Sequence, residues 1–437
     1  MRLSPVLSEL AQYPFARLDD WKAEAVASGV ELIDFGMGDP REVTPAFIRE
    51  ALAASIEPVS SYPRATGLPE LRDAIAGWID RRFGVAVDPA TEIVPTLGSK
   101  EAIYSFAQLA LGDKRLVAIP EPAYPVYERG ALFGGGSVTT LPLTAANGWL
   151  PDLDAFDAWD EIALFWVCYP NNPTAALATA EFFDRLALFA LDHDIVVASD
   201  AAYVEIYYDT EPPPSFLESP GAMDCGIEFH SLSKAYNMPG WRVGFAAGNA
   251  DVVDALRTVK TNTDSGTFSA VQHAAVAALT DTTSYPDQLR RTYRTRMNIL
   301  CDGLEAAGLS ALRSKATFYC LVRNPAGYTS SGFAKKLLDD ARVLSIPASG
   351  FGPGGEGYVR LTVCVGLELI HEAVRRIAGS SGERVGRSGA GGLSGSPGWM
   401  RPPRVGGPRV THRTQQLGEG NRFPYDQLRS PGDDHGV

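Results

Sequence analysis

The amino-acid sequence predicts an α/β fold built on a mainly parallel sheet. Strand-like and helix-like segments alternate through most of the chain, and that alternation is typical of parallel sheets with helical crossovers. Two strand-like segments, ALFWVC (163–168) and IVVASD (195–200), read as runs buried on both faces. No internal repeat is visible at periods of about 20 to 50 residues, which argues against a repeat array.

The individual elements follow from hydrophobic periodicity taken in chain order. Two helices come first, with apolar residues at helical spacing. Strands and helices then alternate up to the aspartate that ends IVVASD. The predicted elements are helices at 44–55 and 68–83, strand 92–97, helix 100–111, strand 115–120, a helix through Tyr127, strands 137–143 and 163–168, helix 180–194 and strand 195–200.

A second, smaller α/β domain is expected towards the end of the fold. A long charged helix begins near residue 285, and shorter units follow it, including the strand-like TFYCLVRN and GYVRLTVCV. The predicted organisation has four parts. They are an N-terminal arm with the first part of the small domain (1–47), a large domain (48–285), the rest of the small domain (286–378) and a tail (379–437).

The tail differs in composition from everything before it. From Gly379 the chain is rich in Gly, Pro, Ser and Arg, and it has no apolar period, so we expect it to be disordered. The tail carries a net charge of about +3 against −13 for the whole chain, which makes the preceding body more acidic. The tail is either a basic interaction arm or an unselected extension.

Composition limits the function classes. The chain has 437 residues and an acidic net charge of −13, which argues against a nucleic-acid partner. The sequence shows neither a long apolar run nor a signal peptide, so we expect a cytoplasmic protein without a membrane partner. The five cysteines are scattered without CxxC spacing, so neither a disulfide framework nor a metal site is expected.

The most informative stretch is FHSLSKAYNMPGWRVGFAAGN, residues 229–249. Ser231, Ser233 and Arg242 gather two hydroxyls and a guanidinium around Lys234, which makes an anion pocket beside an amine. Pyridoxal phosphate needs a phosphate site next to a lysine that can form an imine. The alternative is a surface lysine in a polar turn, but the nearby arginine and the flanking strands favour the cofactor.

With these residues the sequence resembles the fold type I aminotransferases of classes I and II. VCYPNNPTAA (167–176) looks like the family's asparagine-proline loop. ASDAAYVEIYY (198–208) looks like its aspartate-x-alanine-tyrosine strand end, and GYVRLTV (357–363) is similar to its carboxylate-binding arginine segment. The resemblance covers about residues 10–378 with the motifs in family order. It implies a pyridoxal-phosphate-dependent transferase with a large and a small domain.

The resemblance implies roles around the cofactor ring. Asp200 follows a buried strand and needs a cationic partner, which the family supplies as the protonated pyridinium nitrogen. The alternative for Asp200 is a helix cap. Tyr203 and Asn172 would donate hydrogen bonds to the ring hydroxyl oxygen. Lys234, with Asp200 and Tyr203, forms the expected catalytic set, and the freed lysine amine would move the proton between substrate and cofactor.

Further cofactor contacts are expected around the phosphate and the ring face. Gly98, Ser99 and Lys100 precede a helix, where free N–H groups favour an anion. Tyr62 matches the tyrosine that reaches the phosphate of the neighbouring subunit's cofactor, which implies a homodimer with shared active sites. Tyr124 matches the aromatic residue that stacks on the cofactor, and ordinary packing is its alternative.

Substrate binding is expected at Arg360, Gly38 and Asn172. A planar guanidinium pairs bidentately with a carboxylate, although a lone strand arginine could equally form a surface salt bridge. Gly38 would bring a backbone N–H to the same carboxylate, because only glycine permits that approach. Small amino acids and 2-oxo acids are the expected partners, handled in a ping-pong cycle.

Within the family, the sequence most resembles succinyldiaminopimelate aminotransferases, and next LL-diaminopimelate aminotransferases. The first implies transfer from L-glutamate to N-succinyl-2-amino-6-oxopimelate. Ala175 stands where the family usually has glycine, and residues 259–268 lack the arginine that aspartate aminotransferases present to a distal carboxylate. Arg64 and Lys100 are other cationic candidates for that role. A β-lyase or a cofactor-binding regulator is a further alternative on the same scaffold. The supporting stretches are QYPFARL, TPAFIREALAAS, SSYPRATGLPELR, GWLPDL, FHSLSKAYN and AVQHAAVAAL.

Overall fold

The computed structural model describes residues 4–9, 16–27, 29–109, 111–208 and 211–382. The last described helix, α14, runs to Gly382 and so includes the first four residues of the predicted tail, 379–382. Ile370, Ala373 and Ile377 of this helix are buried, and the helical hydrogen bonds continue for one more turn beyond the last apolar contact. The rest of the predicted tail lies outside the described residues.

A seven-stranded sheet forms the centre of the protein, as the alternating pattern predicts. Its strand order is β2-β8-β7-β6-β5-β3-β4. Strands β4, β3, β5, β6 and β7 pair in parallel, whereas β8 is antiparallel to β7 and to β2. In the register, Cys168 lies opposite Asp200, and Asp200 lies opposite Phe229. The carboxyl ends of β5, β6 and β7 therefore meet at one edge, where ligands bind in open α/β sheets.

Apolar layers cover both faces of this sheet. All seven residues of β5 are buried, which fits the continuous apolar run in its sequence. One layer includes Trp78 and Phe183, and the other includes Phe106 and Tyr127. The sheet is therefore held rigidly from both sides, and the residues at its carboxyl edge have a fixed base.

A smaller sheet has the order β12-β13-β10-β9 and is antiparallel throughout. Beside it, β1 pairs in parallel with β11, which joins residues 33–34 to residues 343–344. This contact brings the two ends of the described chain together, as a small domain assembled from both ends requires. The domain boundaries themselves stay a prediction.

The described residues contain no helix that is both long and apolar enough to span a membrane. The strands are β1 (Ile33–Asp34), β2 (Ile93–Thr96), β3 (Leu116–Glu121), β4 (Ser137–Pro142), β5 (Ile162–Cys168), β6 (Val196–Asp200), β7 (Gly226–Ser231), β8 (Gly244–Gly248), β9 (Ala311–Leu312), β10 (Tyr319–Arg323), β11 (Val343–Leu344), β12 (Ile346–Pro347) and β13 (Tyr358–Thr362). The helices are α1 (Pro5–Glu9), α2 (Ala16–Ala27), α3 (Ala46–Ala54), α4 (Pro69–Phe83), α5 (Ser99–Phe106), α6 (Val126–Phe133), α7 (Ala180–Asp192), α8 (Ala222–Cys225), α9 (Leu232–Ala235), α10 (Ala250–Thr263), α11 (Ser269–Leu279), α12 (Tyr285–Ala306), α13 (Ser330–Ala341) and α14 (Leu367–Gly382).

Candidate active site

A cavity of about 400 Å³ lies at the carboxyl edge of the large sheet. Its volume is typical of small-molecule sites. Twelve of the fourteen residues predicted from the sequence line this cavity, and Gly98 and Tyr62 do not. The twelve are Gly38, Ser99, Lys100, Tyr124, Asn172, Asp200, Tyr203, Ser231, Ser233, Lys234, Arg242 and Arg360.

The lysine segment is built by a strand that turns into one short helix. β7 ends at Ser231, whose hydroxyl accepts a hydrogen bond of 3.3 Å from the Ser233 amide and so starts α9. Lys234 lies on this turn, and its Nζ donates to the Gly38 carbonyl at 3.1 Å. Burial lowers the pKa of the Lys234 amine, against the opposing influence of Cys364 and Asp39. An amine with a lowered pKa is more readily neutral and hence nucleophilic.

Arg242 and Ser233 define the anion end of the cavity. The Arg242 guanidinium donates to the Leu97 carbonyl at 3.3 Å and to the Pro239 carbonyl at 3.0 Å. A Cβ on Gly98 would lie 2.4 Å from Arg242 Nη2, so glycine makes room for the guanidinium although it does not line the cavity. Ser233 Oγ is buried without a hydrogen-bond partner among the described residues. A phosphate would satisfy this hydroxyl and use the free N–H groups at the start of α5.

Asp200 is buried at the end of β6 and accepts two hydrogen bonds. Tyr127 Oη donates to its Oδ2 at 2.6 Å, and the Ala202 amide donates to its Oδ1 at 3.2 Å. Burial raises the pKa of the Asp200 carboxyl, and the Tyr127 hydrogen bond acts in the opposite direction. The alternative, a helix cap, does not apply, because Asp200 is followed by a turn, and one of its oxygens is held by a phenol 73 residues away. The sequence pointed to Tyr124 but not to Tyr127, which lies three residues further on in the first turn of α6.

Arg360 is buried rather than part of a surface salt bridge. Its Nη1 donates to Asn172 Oδ1 at 2.6 Å, and its Nη2 donates to the Gly36 carbonyl at 3.1 Å. The guanidinium carbon lies 4.0 Å from the ring centre of Tyr319 and 4.7 Å from that of Phe351. The aromatic rings and the amide hold the guanidinium in orientation, which gives the cavity an oriented cation.

Gly38 and Tyr203 both meet Tyr319, which the sequence analysis missed. A Cβ on Gly38 would lie 2.3 Å from Tyr319 Oη, so the glycine is required here by the tyrosine. The predicted reason, approach of a backbone N–H to a carboxylate, stays untested. Tyr203 Oη and Tyr319 Oη are hydrogen-bonded at 2.7 Å in a buried position. The sequence presented Tyr319 only as part of a strand.

The remaining predicted residues lie at the edge of the cavity or away from it. Tyr124 lines the cavity and makes an edge-to-face contact with Tyr127 at 5.8 Å. Burial lowers the pKa of the Lys100 amine, with further contributions from Arg242 and Arg129. Tyr62 is 92% exposed and does not reach the cavity of its own chain. Its predicted contact with a neighbouring subunit's cofactor stays a prediction.

Comparison with known proteins decides the family. The profile of the class I and II aminotransferases matches residues 30–377. The chain belongs to this family. It is a pyridoxal-phosphate-dependent aminotransferase of fold type I. The family's cofactor and its carboxylate substrates require an amine, an oriented guanidinium and an anion site around one cavity.

This aminotransferase is similar to known relatives and to solved structures over most of its length. The LL-diaminopimelate aminotransferase of Aquifex aeolicus is 45% identical over 375 residues, which is 85% of this chain and 97% of the relative. That of Moorella thermoacetica is 44% identical over 377 residues, 85% of this chain and 96% of the relative. BacF from Bacillus subtilis superposes with a TM-score of 0.82 at 33% identity, covering 87% and 98% of the two chains. Thermus thermophilus aspartate aminotransferase with maleate gives 0.81 at 28% identity, covering 87% and 100%.

Proposed function

We propose that the protein is an LL-diaminopimelate aminotransferase. The observation that carries the proposal is the identity of 43 to 45% to LL-diaminopimelate aminotransferases over 85 to 86% of this chain. The sequence analysis preferred N-succinyl-2-amino-6-oxopimelate as the acceptor. These relatives do not support the succinylated substrate, and they favour the LL-diaminopimelate alternative. The reaction would exchange an amino group between LL-diaminopimelate and 2-oxoglutarate.

The arrangement of the cavity supports an assignment of roles. Arg360 would bind the substrate α-carboxylate, with Asn172 and the stacked rings holding its guanidinium in plane. Ser233 and Arg242 would hold the cofactor phosphate, and Asp200 would face the ring nitrogen. Bound pyridoxal phosphate supplies a conjugated ring that withdraws electrons from the substrate Cα.

Lys234 would act first as the attachment point and then as the base. Its amine lies 3.1 Å from the Gly38 carbonyl in the cavity that Arg360 also lines, and burial favours its neutral form. A neutral amine can take the proton from the substrate Cα and return it to another carbon, which is general acid–base catalysis by one group.

The distal carboxylate of the substrate needs a cation other than Arg360. Lys260, in the segment that would face a distal carboxylate in aspartate aminotransferases, is buried and paired with Asp264 at 2.8 Å and Glu101 at 3.5 Å. A lysine engaged in this way is not offered to a substrate, which argues against a dedicated aspartate enzyme. Lys100 lines the cavity and is the cation that we propose for the distal carboxylate.

A homodimer is part of the proposal. Tyr62 is almost fully exposed, and Val43, Ile56 and Val59 expose most of their side chains in the same part of the sequence. An exposed apolar group of this kind is typical of a protein interface. Light scattering on the purified full chain should give twice the mass of one chain, and a monomer that retains full activity would contradict the shared site.

The substrate assignment is tested by half-reactions of the pyridoxal-phosphate-loaded full chain. LL-diaminopimelate should convert the cofactor to its amino form, seen as loss of visible absorbance, and 2-oxoglutarate should restore it. N-succinyl-LL-diaminopimelate and aspartate are the matched comparison substrates. Faster conversion by either one would overturn the proposal. The variant Lys234→Ala should lose turnover, and borohydride reduction should no longer fix the cofactor to the chain.

A further inference from the structure

Tyr319 touches three of the predicted site residues at once. Its hydroxyl lies 2.7 Å from Tyr203 Oη, and its ring centre lies 4.0 Å from the Arg360 guanidinium carbon. The same hydroxyl occupies the space that a Cβ on Gly38 would need, at 2.3 Å. Tyr319 itself is 3% exposed and lines the cavity. Asn172, the other predicted ring-oxygen ligand, contacts Arg360 directly, and Tyr319 links Arg360 to Tyr203.

We propose that Tyr319 is a positioning residue that couples the carboxylate-binding Arg360 to the hydrogen bond donated by Tyr203. The inference rests on the proposed function, in which Tyr203 donates to the oxygen of the cofactor ring and Arg360 binds the substrate carboxylate. It adds Tyr319 as the residue that supports both Tyr203 and Arg360.

The direction of the hydrogen bond between Tyr319 and Tyr203 follows from the role proposed for Tyr203. Burial raises the pKa of both phenols, so both carry their protons at neutral pH. Only one proton can lie between the two oxygens. If Tyr203 donates into the cavity, its oxygen must accept from Tyr319, which makes a chain from Tyr319 through Tyr203 to the ring oxygen. A hydroxyl that accepts one hydrogen bond becomes a stronger donor in its next hydrogen bond.

The ring has a separate role. The guanidinium carbon of Arg360 lies 4.0 Å from the ring centre of Tyr319 and 4.7 Å from that of Phe351. A buried guanidinium on an aromatic face is held in orientation by the cation–π attraction. The hydroxyl of Tyr319 therefore acts on Tyr203, whereas its ring acts on Arg360.

Two variants separate these roles. Tyr319→Phe removes only the hydroxyl, and Tyr319→Leu removes the ring as well. Tyr293→Phe is the matched control, because Tyr293 lies in the same apolar cluster and its hydroxyl has no hydrogen-bond partner among the described residues. All variants are prepared as full chains loaded with pyridoxal phosphate.

The first measurement is the pH titration of the visible absorbance of the resting protein. A weaker hydrogen bond to the ring oxygen leaves more negative charge on it and makes the attached nitrogen more basic. Tyr319→Phe should therefore raise the proton affinity of the bound cofactor by about twofold, from a 10 to 30% weakening of a charge-assisted hydrogen bond. Tyr319→Leu should show the same rise, and Tyr293→Phe should titrate like the unmodified protein.

The second measurement is the affinity for maleate, a dicarboxylate that has no amino group to transfer. Tyr319→Phe should keep the affinity within about twofold, since the ring remains over the guanidinium. Tyr319→Leu should bind maleate about thirtyfold more weakly, the size of a desolvated cation–π contact. If Tyr319 only stabilised the fold, both variants would have a lower thermal midpoint. The hydroxyl would then not act on the absorbance titration alone, nor the ring on the maleate affinity.

The outcomes distinguish the inference from the proposal on which it rests. An unshifted titration for Tyr319→Phe, or an unchanged maleate affinity for Tyr319→Leu, overturns the coupling role while borohydride still fails to fix the cofactor to Lys234→Ala. If borohydride fixes the cofactor to Lys234→Ala, the site assignment fails and the inference fails with it.

Discussion

The phenol of Tyr127 donates a hydrogen bond of 2.6 Å to Asp200 Oδ2 inside the protein. The Tyr127 ring stacks on Trp166 with the ring centres 4.8 Å apart, so the donor is held firmly. This contact lowers the pKa of a carboxyl that burial alone would raise. Burial still raises the pKa of Asp200 overall, and the Tyr127 hydrogen bond limits that rise, which favours the ionised form that would face a protonated ring nitrogen in the proposed site.

Replacement of Tyr127 by phenylalanine should weaken cofactor binding. Asp200 Oδ2 would lose its donor, its pKa would rise, and its orientation would loosen. We expect the dissociation constant of pyridoxal phosphate to increase about tenfold, from the loss of one hydrogen bond to a charged group. Reconstitution of the cofactor-free protein, followed by absorbance, measures this constant. Tyr104→Phe, on the neighbouring helix α5, is the control, and an equal loss in both variants would contradict the role of Tyr127.

Replacement of Arg360 by lysine should reduce kcat/KM about 100-fold for LL-diaminopimelate. Lysine keeps the charge but loses the planar fork and the stacking between two rings. Steady-state kinetics at saturating 2-oxoglutarate measures the loss. Arg323→Lys is the control, because Arg323 lies on the adjacent strand β10 and points to the Tyr358 hydroxyl instead. Less than a threefold loss at Arg360 would remove it from the carboxylate site.

The buried amine of Lys234 should make the cofactor-free protein less stable at neutral pH than at alkaline pH. Its folded pKa is lowered from 10.5 by burial, so the folded state binds fewer protons than the unfolded state below that pH. The unfolding free energy therefore rises as pH rises towards 10.5. Lys234→Met should be more stable than the unmodified protein at pH 7, and the difference should shrink as the pH is raised. Denaturant unfolding at several pH values measures both trends.

Lys260→Met is the matched control for that experiment. Lys260 is fully buried, more so than Lys234, and it forms ion pairs with Asp264 and Glu101. Removal of one partner from a buried ion pair leaves uncompensated charge, so we expect a loss of about 3 to 5 kcal/mol in the free energy of unfolding. A stabilising Lys260→Met, or a destabilising Lys234→Met at pH 7, would contradict this account of the two lysines.

Replacement of Ala175 by glycine should stabilise the protein. Ala175 has φ = +60°, a left-handed conformation that costs a residue with a Cβ about 1 to 2 kcal/mol. Glycine removes this strain but loses more chain entropy on folding, so the net gain should be about 0.5 to 1 kcal/mol. Urea unfolding measures the gain. Ala178→Gly, in the same loop and without a positive φ, should lower stability.

The loop around Ala175 shows which features of a site a local sequence motif can predict and which it cannot. The family resemblance marked Ala175 as a departure from glycine, and the structure supplies the reason in its φ angle. The loop itself is held by Asn171, whose Oδ1 accepts from the amide and the hydroxyl of Thr174. Asn172, which the sequence analysis chose, instead faces Arg360. Two adjacent asparagines thus have different roles that no spacing rule could separate.

The sequence alone determined the parallel core, the order of its strands and helices, and the lysine, aspartate and arginine of the site. These features depend on local periodicity and on short motifs, which residues near each other in the chain specify. It did not determine the contacts of Tyr319 with Tyr203 or of Tyr127 with Asp200, whose partners are 116 and 73 residues apart. Such pairs exist only after the strands and helices have packed, because tertiary packing brings together side chains that the chain keeps far apart. The small antiparallel sheet, the burial of Arg360 and the contact between Gly38 and Tyr319 likewise depend on which side chains share one interior.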